Sequence, residues 1–315
     1  NLNYKKSNFL IIDFNDEYIS NDVLTDDKKV YKLDTRKDDG DKFPLPRSVI
    51  EDSTFWSIIL EATEKTQRPF LERVIKSYEY YKVGSISFND LIRAIHENPS
   101  KFISIKTGLF ELLQSIYGGS FSDYEAIFDE IEFHNKLYCL FTSPNNYFDT
   151  INDFEDYLKS RIDLLDTTDI FKPIECSDID PLVLFDIILK YKHIYETLKG
   201  YSNDEHISPM IKRSYKRINE ISKVLEFKDE IEIENNIQIV SLSNCNVHMK
   251  KVIPLLICKE IYDKQRSEVR GSKSLHIIID EAHNILSENS NRESASWKDY
   301  RLEVFEEIIK EGRKF

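Results

Sequence analysis

The sequence is poor in the residues that bend or cross-link a chain. Its 315 residues include 8 glycines, 9 prolines and 4 cysteines. Few turn-forming residues beside many long side chains favour long helices with little low-complexity linker. The cysteines are far apart and lack metal-ligand spacing, and Cys258 lies in the apolar run VIPLLIC. We therefore expect inert buried thiols rather than a metal site.

Long apolar runs are missing too. No run approaches the roughly 20 residues that span a bilayer, and no signal peptide opens the chain. We therefore expect no membrane partner and a cytoplasmic location. The net charge of −13 removes the simplest argument for nucleic acid, which is a basic face. It does not exclude DNA, because a ring can hold a few basic residues in its pore and be acidic outside.

Two adjacent acids follow the most informative run of the chain, SLHIIIDEAHN. Residues 275–279 are mostly β-branched and apolar, which predicts a strand buried on both faces of a parallel sheet. Open α/β sheets bind ligands beyond the carboxyl ends of their strands, so Asp280 and Glu281 are expected at such a site. This is the Walker B signature of nucleotide hydrolases. Asp280 would hold Mg²⁺ through its water shell, and Glu281 would polarise the attacking water. The alternative interpretation is a buried strand that ends in solvated acids.

Strand-like runs near both ends of the chain flank a long helical middle. Asn8–Asp13, Val30–Leu33 and Ile237–Leu242 read as strands, whereas apolar residues recur at helical spacing from about residue 51 to 227. Asp180 with Pro181 is a typical helix start within that middle. We predict three segments: the first part of an α/β core at 1–45, a helical bundle at 46–229, and the second part of the core at 230–315.

The order of these motifs resembles the HerA-type ATPases of the HerA/FtsK superfamily. Three matches carry the resemblance: Ile11-Ile12-Asp13 with Glu17-Tyr18 as the IIDxxxEY strand and loop, Ile279–Asn284 as IDEAHN, and Glu311–Phe315 as EGRKF. The resemblance implies an α/β fold in which a partial RecA-like P-loop ATPase core carries a large all-helical insertion. It also implies ATP and Mg²⁺ as cofactors, and a homo-oligomeric ring, expected to be a hexamer, that moves on double-stranded DNA. Such proteins work with a nuclease or other effector, in DNA processing or antiphage defence.

The same resemblance implies roles for further residues. Arg313 would sense the γ-phosphate or bridge subunits, whereas its other interpretation is a cation that complements a helix dipole. Asp13 and Glu17 would support the metal or water site, and Asn284 would hydrogen-bond near the catalytic acids. The alternative for Asp13 is a solvated acid at a strand end.

One departure from the family affects every functional expectation. The phosphate-binding loop GxxxxGK[ST] is missing, and no Gly-Lys pair occurs in the sequence. We expect that loop before Asn1, because a core without its central strand would leave sheet neighbours unpaired. The alternative is a non-catalytic, ATPase-like scaffold that organises an effector enzyme. A DEAH-type helicase is a weaker option, since Asp280–His283 reads DEAH but no second-domain motif follows.

Overall fold

The part of the chain that the structure describes contains eight strands and nine α-helices. This computed structural model describes residues 7–125, 127–129, 131, 172–229, 235–267, 274–286 and 295–312. The strands are β1 (Ser7–Asp13), β2 (Lys29–Asp34), β3 (Phe43–Pro46), β4 (Ser85–Ile86), β5 (Ile174–Glu175), β6 (Leu225–Lys228), β7 (Ile237–Asn244) and β8 (Ser274–Ile279). The helices are α1 (Ser53–Ile59), α2 (Gln67–Tyr81), α3 (Asn89–Glu97), α4 (Phe102–Tyr117), α5 (Pro181–Lys199), α6 (Asp204–Val224), α7 (Met249–Ser267), α8 (His283–Leu286) and α9 (Ala295–Glu311).

The chain divides into two compact units. The first combines Asn1–Glu64 with Tyr215–Phe315, and the second is Lys65–Ser214. The second unit lies within the predicted bundle segment 46–229. Residues 46–64 and 215–229 belong to the unit that contains the central sheet.

The central sheet of the first unit is entirely parallel. Its strand order is β2-β7-β1-β8, and Ile12 of β1 pairs with Val240 on one side and Ile279 on the other. β1 is buried along Leu10, Ile11 and Ile12, as expected for a strand covered on both faces. The predicted α/β class with a parallel sheet is therefore confirmed.

β8 does not occupy the position that its sequence predicts. The expectation that it is buried on both faces is wrong: its residues alternate between exposed and partly buried, and Ile278 is 45% exposed. Among the described strands β8 pairs only with β1, so it lies at the edge of the sheet that the described strands form. An apolar run favours a strand in either position, and its composition does not say whether a second neighbour follows.

β3 is a strand in spite of its two prolines. Proline usually interrupts a strand, yet Phe43–Pro46, which includes Pro44 and Pro46, pairs in parallel with β6 in a separate two-stranded sheet. Proline cannot donate a backbone hydrogen bond, so it is tolerated in an edge strand whose N–H positions need no partner. Phe43 and Leu45 point into the core, and both are almost completely buried.

The second unit packs around α5, whose Phe185, Ile188 and Leu189 are fully buried. The predicted start of this helix is confirmed, because the Asp180 carboxylate accepts hydrogen bonds from the backbone N–H of Leu182 at 2.9 Å and of Val183 at 3.3 Å. No described helix combines the length and apolar character that crossing a bilayer requires.

The cysteines follow the sequence expectation where they are described. Cys176, Cys245 and Cys258 are free and buried, and burial raises the thiol pKa of the last two to about 12. Thiols held in that state are poor nucleophiles at neutral pH. Cys139 lies outside the described residues.

Candidate functional site

The parallel strands β1, β7 and β8 all finish at the same end of the central sheet. We call this carboxyl-terminal end the rim. Asp13 ends β1 and is the register partner of Ser241 on β7. On the other side, the backbone N–H of Asp280 donates to the Ile12 carbonyl at 3.0 Å and extends the pairing of β8 with β1. Parallel strands thus bring Asp13, Asp280 and Glu281 to the same edge, where open α/β sheets bind ligands.

Asp13 is fully buried, and its carboxylate is hydrogen-bonded to the loop that follows β1. Its carboxylate accepts three backbone hydrogen bonds, from the N–H groups of Asn15 at 3.0 Å, Glu17 at 3.2 Å and Tyr18 at 2.9 Å. Aspartate commonly organises a turn in this way, since its short side chain satisfies nearby amides. Asp13 therefore holds the loop after β1 in shape.

Asp280 is in the opposite situation. Its Oδ2 atom is buried, and no hydrogen-bond partner for it exists in the described part of the chain. Its negative charge is the largest cause of a raised pKa of Tyr18, followed by burial and by the charges of Glu17 and Asp13. The Asp280 carboxylate is thus close enough to Tyr18 to interact with it electrostatically. A buried carboxylate oxygen without a donor is costly, and in a native protein it calls for an explanation such as an ion or water.

Glu281 has an unusual backbone conformation. Its φ of +48° lies in the left-handed region, which is uncommon for a residue with a side chain and is often found at functional sites. The chain turns here into α8, and the Glu281 carbonyl accepts the Asn284 N–H at 2.9 Å. The Glu281 carboxylate lies 2.9 Å from His283 Nδ1, and the side chain is 42% exposed. Glu281 is therefore open to solvent but is engaged by a neighbour.

The other predicted site residues are less clearly part of the rim. The side chains of Glu17 and Asn284 are exposed, although the backbone of each takes part in the two turns just described. Arg313 lies outside the described residues, so its predicted role stays a prediction.

Two residues that the sequence did not single out support the loop after β1. Ser241 is 2% exposed and donates its hydroxyl hydrogen bond to Asp16 Oδ1. The Lys28 ammonium group donates to the carbonyls of Tyr18 at 2.9 Å, Ser20 at 2.5 Å and Val23 at 2.7 Å. The only signal for Ser241 was a hydroxyl inside the apolar run IQIVSL, and Lys28 gave none.

The rim contains few metal ligands of its own. No group of three or more His, Cys, Asp or Glu side chains suited to a metal ion occurs among the residues that the structure describes. A dedicated protein cage is therefore not present in that part. Mg²⁺ usually keeps several waters and binds through one or two carboxylates plus substrate phosphates. The free Oδ2 atom of Asp280 fits such a weakly anchored ion.

No protein-family model matches this chain, and a search of curated proteins found no match either. The function proposed below therefore rests on the sequence motifs and on the geometry of the rim.

Proposed function

We propose that this protein is an ATP-hydrolysing, ring-forming DNA translocase or helicase of HerA type, with a RecA-like core. It would assemble as a homohexamer in the cytoplasm and act on double-stranded DNA with a nuclease or other effector. The observation that carries the proposal is the unpaired, buried Oδ2 of Asp280 at the carboxyl end of a parallel strand, directly before Glu281.

Each rim residue has a task under this proposal. Asp280 would hold Mg²⁺ through water, and bound Mg²⁺ would neutralise charge on the transferring phosphoryl group. Glu281 would orient and polarise the attacking water once its carboxylate leaves His283. Asp13 would act indirectly, since it fixes the loop that carries Glu17 and Tyr18. Arg313 would stabilise the negative charge of the transition state, and Asn284 would hydrogen-bond near the two acids.

The proposal requires a phosphate-binding loop, and the 315 residues contain no GxxxxGK[ST] motif. That gap favours the second candidate, a non-catalytic, ATPase-like scaffold that organises an effector. The contact of Glu281 with His283 favours it as well, because a paired carboxylate is less available as a base. The two candidates differ in one measurable property, which is turnover of ATP.

The deciding experiment measures ATP hydrolysis with Mg²⁺, with and without duplex DNA, beside binding of a fluorescent ATP analogue. We expect turnover in the wild type and a loss of about 100-fold or more in Glu281→Gln, because a general base typically contributes that much. Analogue binding should be unchanged. Glu79→Gln is the matched control, since Glu79 is an exposed glutamate on α2 in the other unit.

Two outcomes count against the motor. Turnover retained in Glu281→Gln would contradict the role of Glu281. A wild-type protein that binds an effector but turns over no ATP would favour the scaffold.

A further inference from the structure

The connection between β2 and β3 folds back onto the outer edge of β2. Asp34, the last residue of β2, bends the chain, because its Oδ1 atom accepts the N–H groups of Arg36 at 2.7 Å and Lys37 at 3.2 Å. Asp41 then returns to Lys32. Its N–H donates to the Lys32 carbonyl at 3.1 Å, and its Oδ2 atom accepts the Lys32 N–H at 2.8 Å. Asp41 thus covers backbone groups of β2 on the side away from β7, where no other described strand pairs with it.

Gly40 is the point of closest approach in this connection. A β-carbon at Gly40 would lie 3.1 Å from both the Cβ atom and the backbone nitrogen of Asp34. A larger residue would therefore displace part of the turn, and Asp41 with it. This packing explains why a glycine follows Asp39. Asp39-Gly40 is the only Asp-Gly pair in the sequence, and no Asn-Gly pair occurs.

Both reactive groups of this pair are available. Asp39 is exposed, and neither its carboxylate nor the Gly40 N–H has a hydrogen-bond or ion-pair partner in the described part of the chain. The pair lies outside any helix or strand, where the backbone can adopt the torsions that ring closure needs. Asp22 differs although it is exposed too, because the amide that follows it belongs to β-branched Val23 and donates to the Ser20 carbonyl at 3.0 Å.

We propose that Asp39-Gly40 is a site of spontaneous covalent modification, at which Asp39 becomes isoaspartate through a succinimide. The Gly40 nitrogen forms a bond to the Asp39 Cγ carbon, and the carboxyl hydroxyl leaves as water with the proton of that nitrogen. A second water then adds to the backbone carbonyl of Asp39 and breaks its bond to the nitrogen. The chain now continues through the former side chain. Water is the only co-reactant, and nothing is oxidised or reduced.

The modification would change the edge of β2. Isoaspartate adds one methylene group to the main chain directly before Gly40, which is packed against Asp34. Asp41 is then displaced from the position in which it pairs twice with Lys32. The backbone groups of Lys32 become free, and an open strand edge can pair with another chain.

The test incubates the full chain at neutral pH and body temperature, once folded and once unfolded in guanidinium chloride. The tryptic peptide of residues 38–42 is then analysed by electron-transfer fragmentation, which locates isoaspartate although the mass is unchanged. Asp39→Asn should react faster, because a neutral amide is a better electrophile than an ionised carboxylate. Asp39→Glu should not react, because its extra methylene disfavours ring closure. Asp22 is the internal control.

In the folded wild type, isoaspartate should build up at position 39 and exceed that at position 22 at every time. Hydrogen exchange of the Lys32 amide should be about tenfold faster in the modified fraction, which is the factor for one ordinary hydrogen bond. Three results would overturn the modification site: no isoaspartate at position 39, an equal amount at position 22, or reaction only in guanidinium chloride, which would show that the fold withholds the Gly40 nitrogen. An unchanged Lys32 amide in the modified fraction would refute the effect on β2.

Discussion

The ends of β1 and β8 carry the same side chain in two different states. Asp13 is buried and accepts three backbone hydrogen bonds, whereas Asp280 on the adjacent strand has a buried oxygen with no partner among the described residues. Both stand at the edge of a parallel sheet where ligands bind. Position at the rim therefore does not identify a functional acid by itself. The number of donors that each carboxylate already has separates a structural aspartate from a candidate ligand.

The same difference has an energetic side. Hydrogen bonds to a charged acceptor contribute about 1.5–3 kcal/mol each and are not additive, so Asp13 should matter for folding. An unpaired buried acceptor costs on the order of 1–3 kcal/mol, so the native fold gains nothing from Asp280 Oδ2. Residues that keep a buried polar atom without a hydrogen bond are often found at functional sites.

The largest expected effect is on the β1 side. Asp13→Ala should lower the free energy of unfolding by about 3 kcal/mol, because three backbone amides lose a charged acceptor at a buried position. Urea denaturation followed by circular dichroism measures it. Asp22→Ala is the control, since Asp22 is an exposed aspartate in the same connection. Equal stability of the two variants would show that Asp13 does not hold the loop.

A smaller loss is expected from Ser241→Ala, about 1 kcal/mol, because its buried hydroxyl donates to Asp16. A double-mutant cycle with Asp16→Ala isolates the pair, and the coupling energy should be close to the single loss. Additive effects of the two substitutions would mean that the contact contributes nothing to stability.

At Glu281 a substitution by glycine is expected to be less destabilising than one by alanine, the reverse of the usual order. At a φ of +48°, Glu281→Gly should be about 1 kcal/mol more stable than Glu281→Ala, because glycine adopts this region without strain. Both variants lose the contact with His283, so the difference between them reports the backbone alone. Chemical denaturation checks it, and an alanine variant as stable as the glycine variant would contradict the strain.

The smallest effect on stability is expected from Asp280→Asn, within about 0.5 kcal/mol of the wild type, since no donor is lost. The same substitution should lower the pKa of Tyr18 toward its ordinary value of 10.0, because the charge of Asp280 is the largest cause of the rise. A raised pKa favours the neutral phenol in the folded state. The contribution of the raised Tyr18 pKa to folding stability is therefore present below pH 10. It is lost as the pH rises through the pKa of Tyr18 in the folded protein.

NMR titration of the tyrosine ring carbons, assigned with Tyr18→Phe, measures this pKa. Glu17→Gln serves as the comparison and should shift it less, in keeping with its smaller contribution. A larger shift in Glu17→Gln than in Asp280→Asn would show that Asp280 does not face Tyr18.

Most elements could be predicted from the sequence because their apolar patterns are unambiguous. Strand β1 was expected at Asn8–Asp13 and begins one residue earlier, and β7 contains the whole of the expected Ile237–Leu242. The start of α5 was readable too, since an aspartate before proline is a strong local signal. In each case, residues close in sequence decide the structure.

What could not be predicted depends on partners that are distant in sequence. The exposure of β8 follows from where it joins the sheet, which its own residues do not encode. Two of the four residues of β3 are prolines, so its own sequence does not predict a strand. The strand forms because it pairs with β6, which lies far along the chain. At the rim, Asp13 and Asp280 read alike as strand-end acids. Only the folded structure shows that backbone N–H groups donate to Asp13 and that Asp280 Oδ2 has no donor in the described part of the chain.

The outer side of β8 has a practical consequence for handling this protein. A strand that pairs with a single described neighbour and exposes Ile278 is a template onto which another chain can add. Self-association that uses this edge would proceed by backbone pairing between strands. A lysine in place of Ile278 should disfavour it, because a charged side chain on an edge strand opposes such stacking.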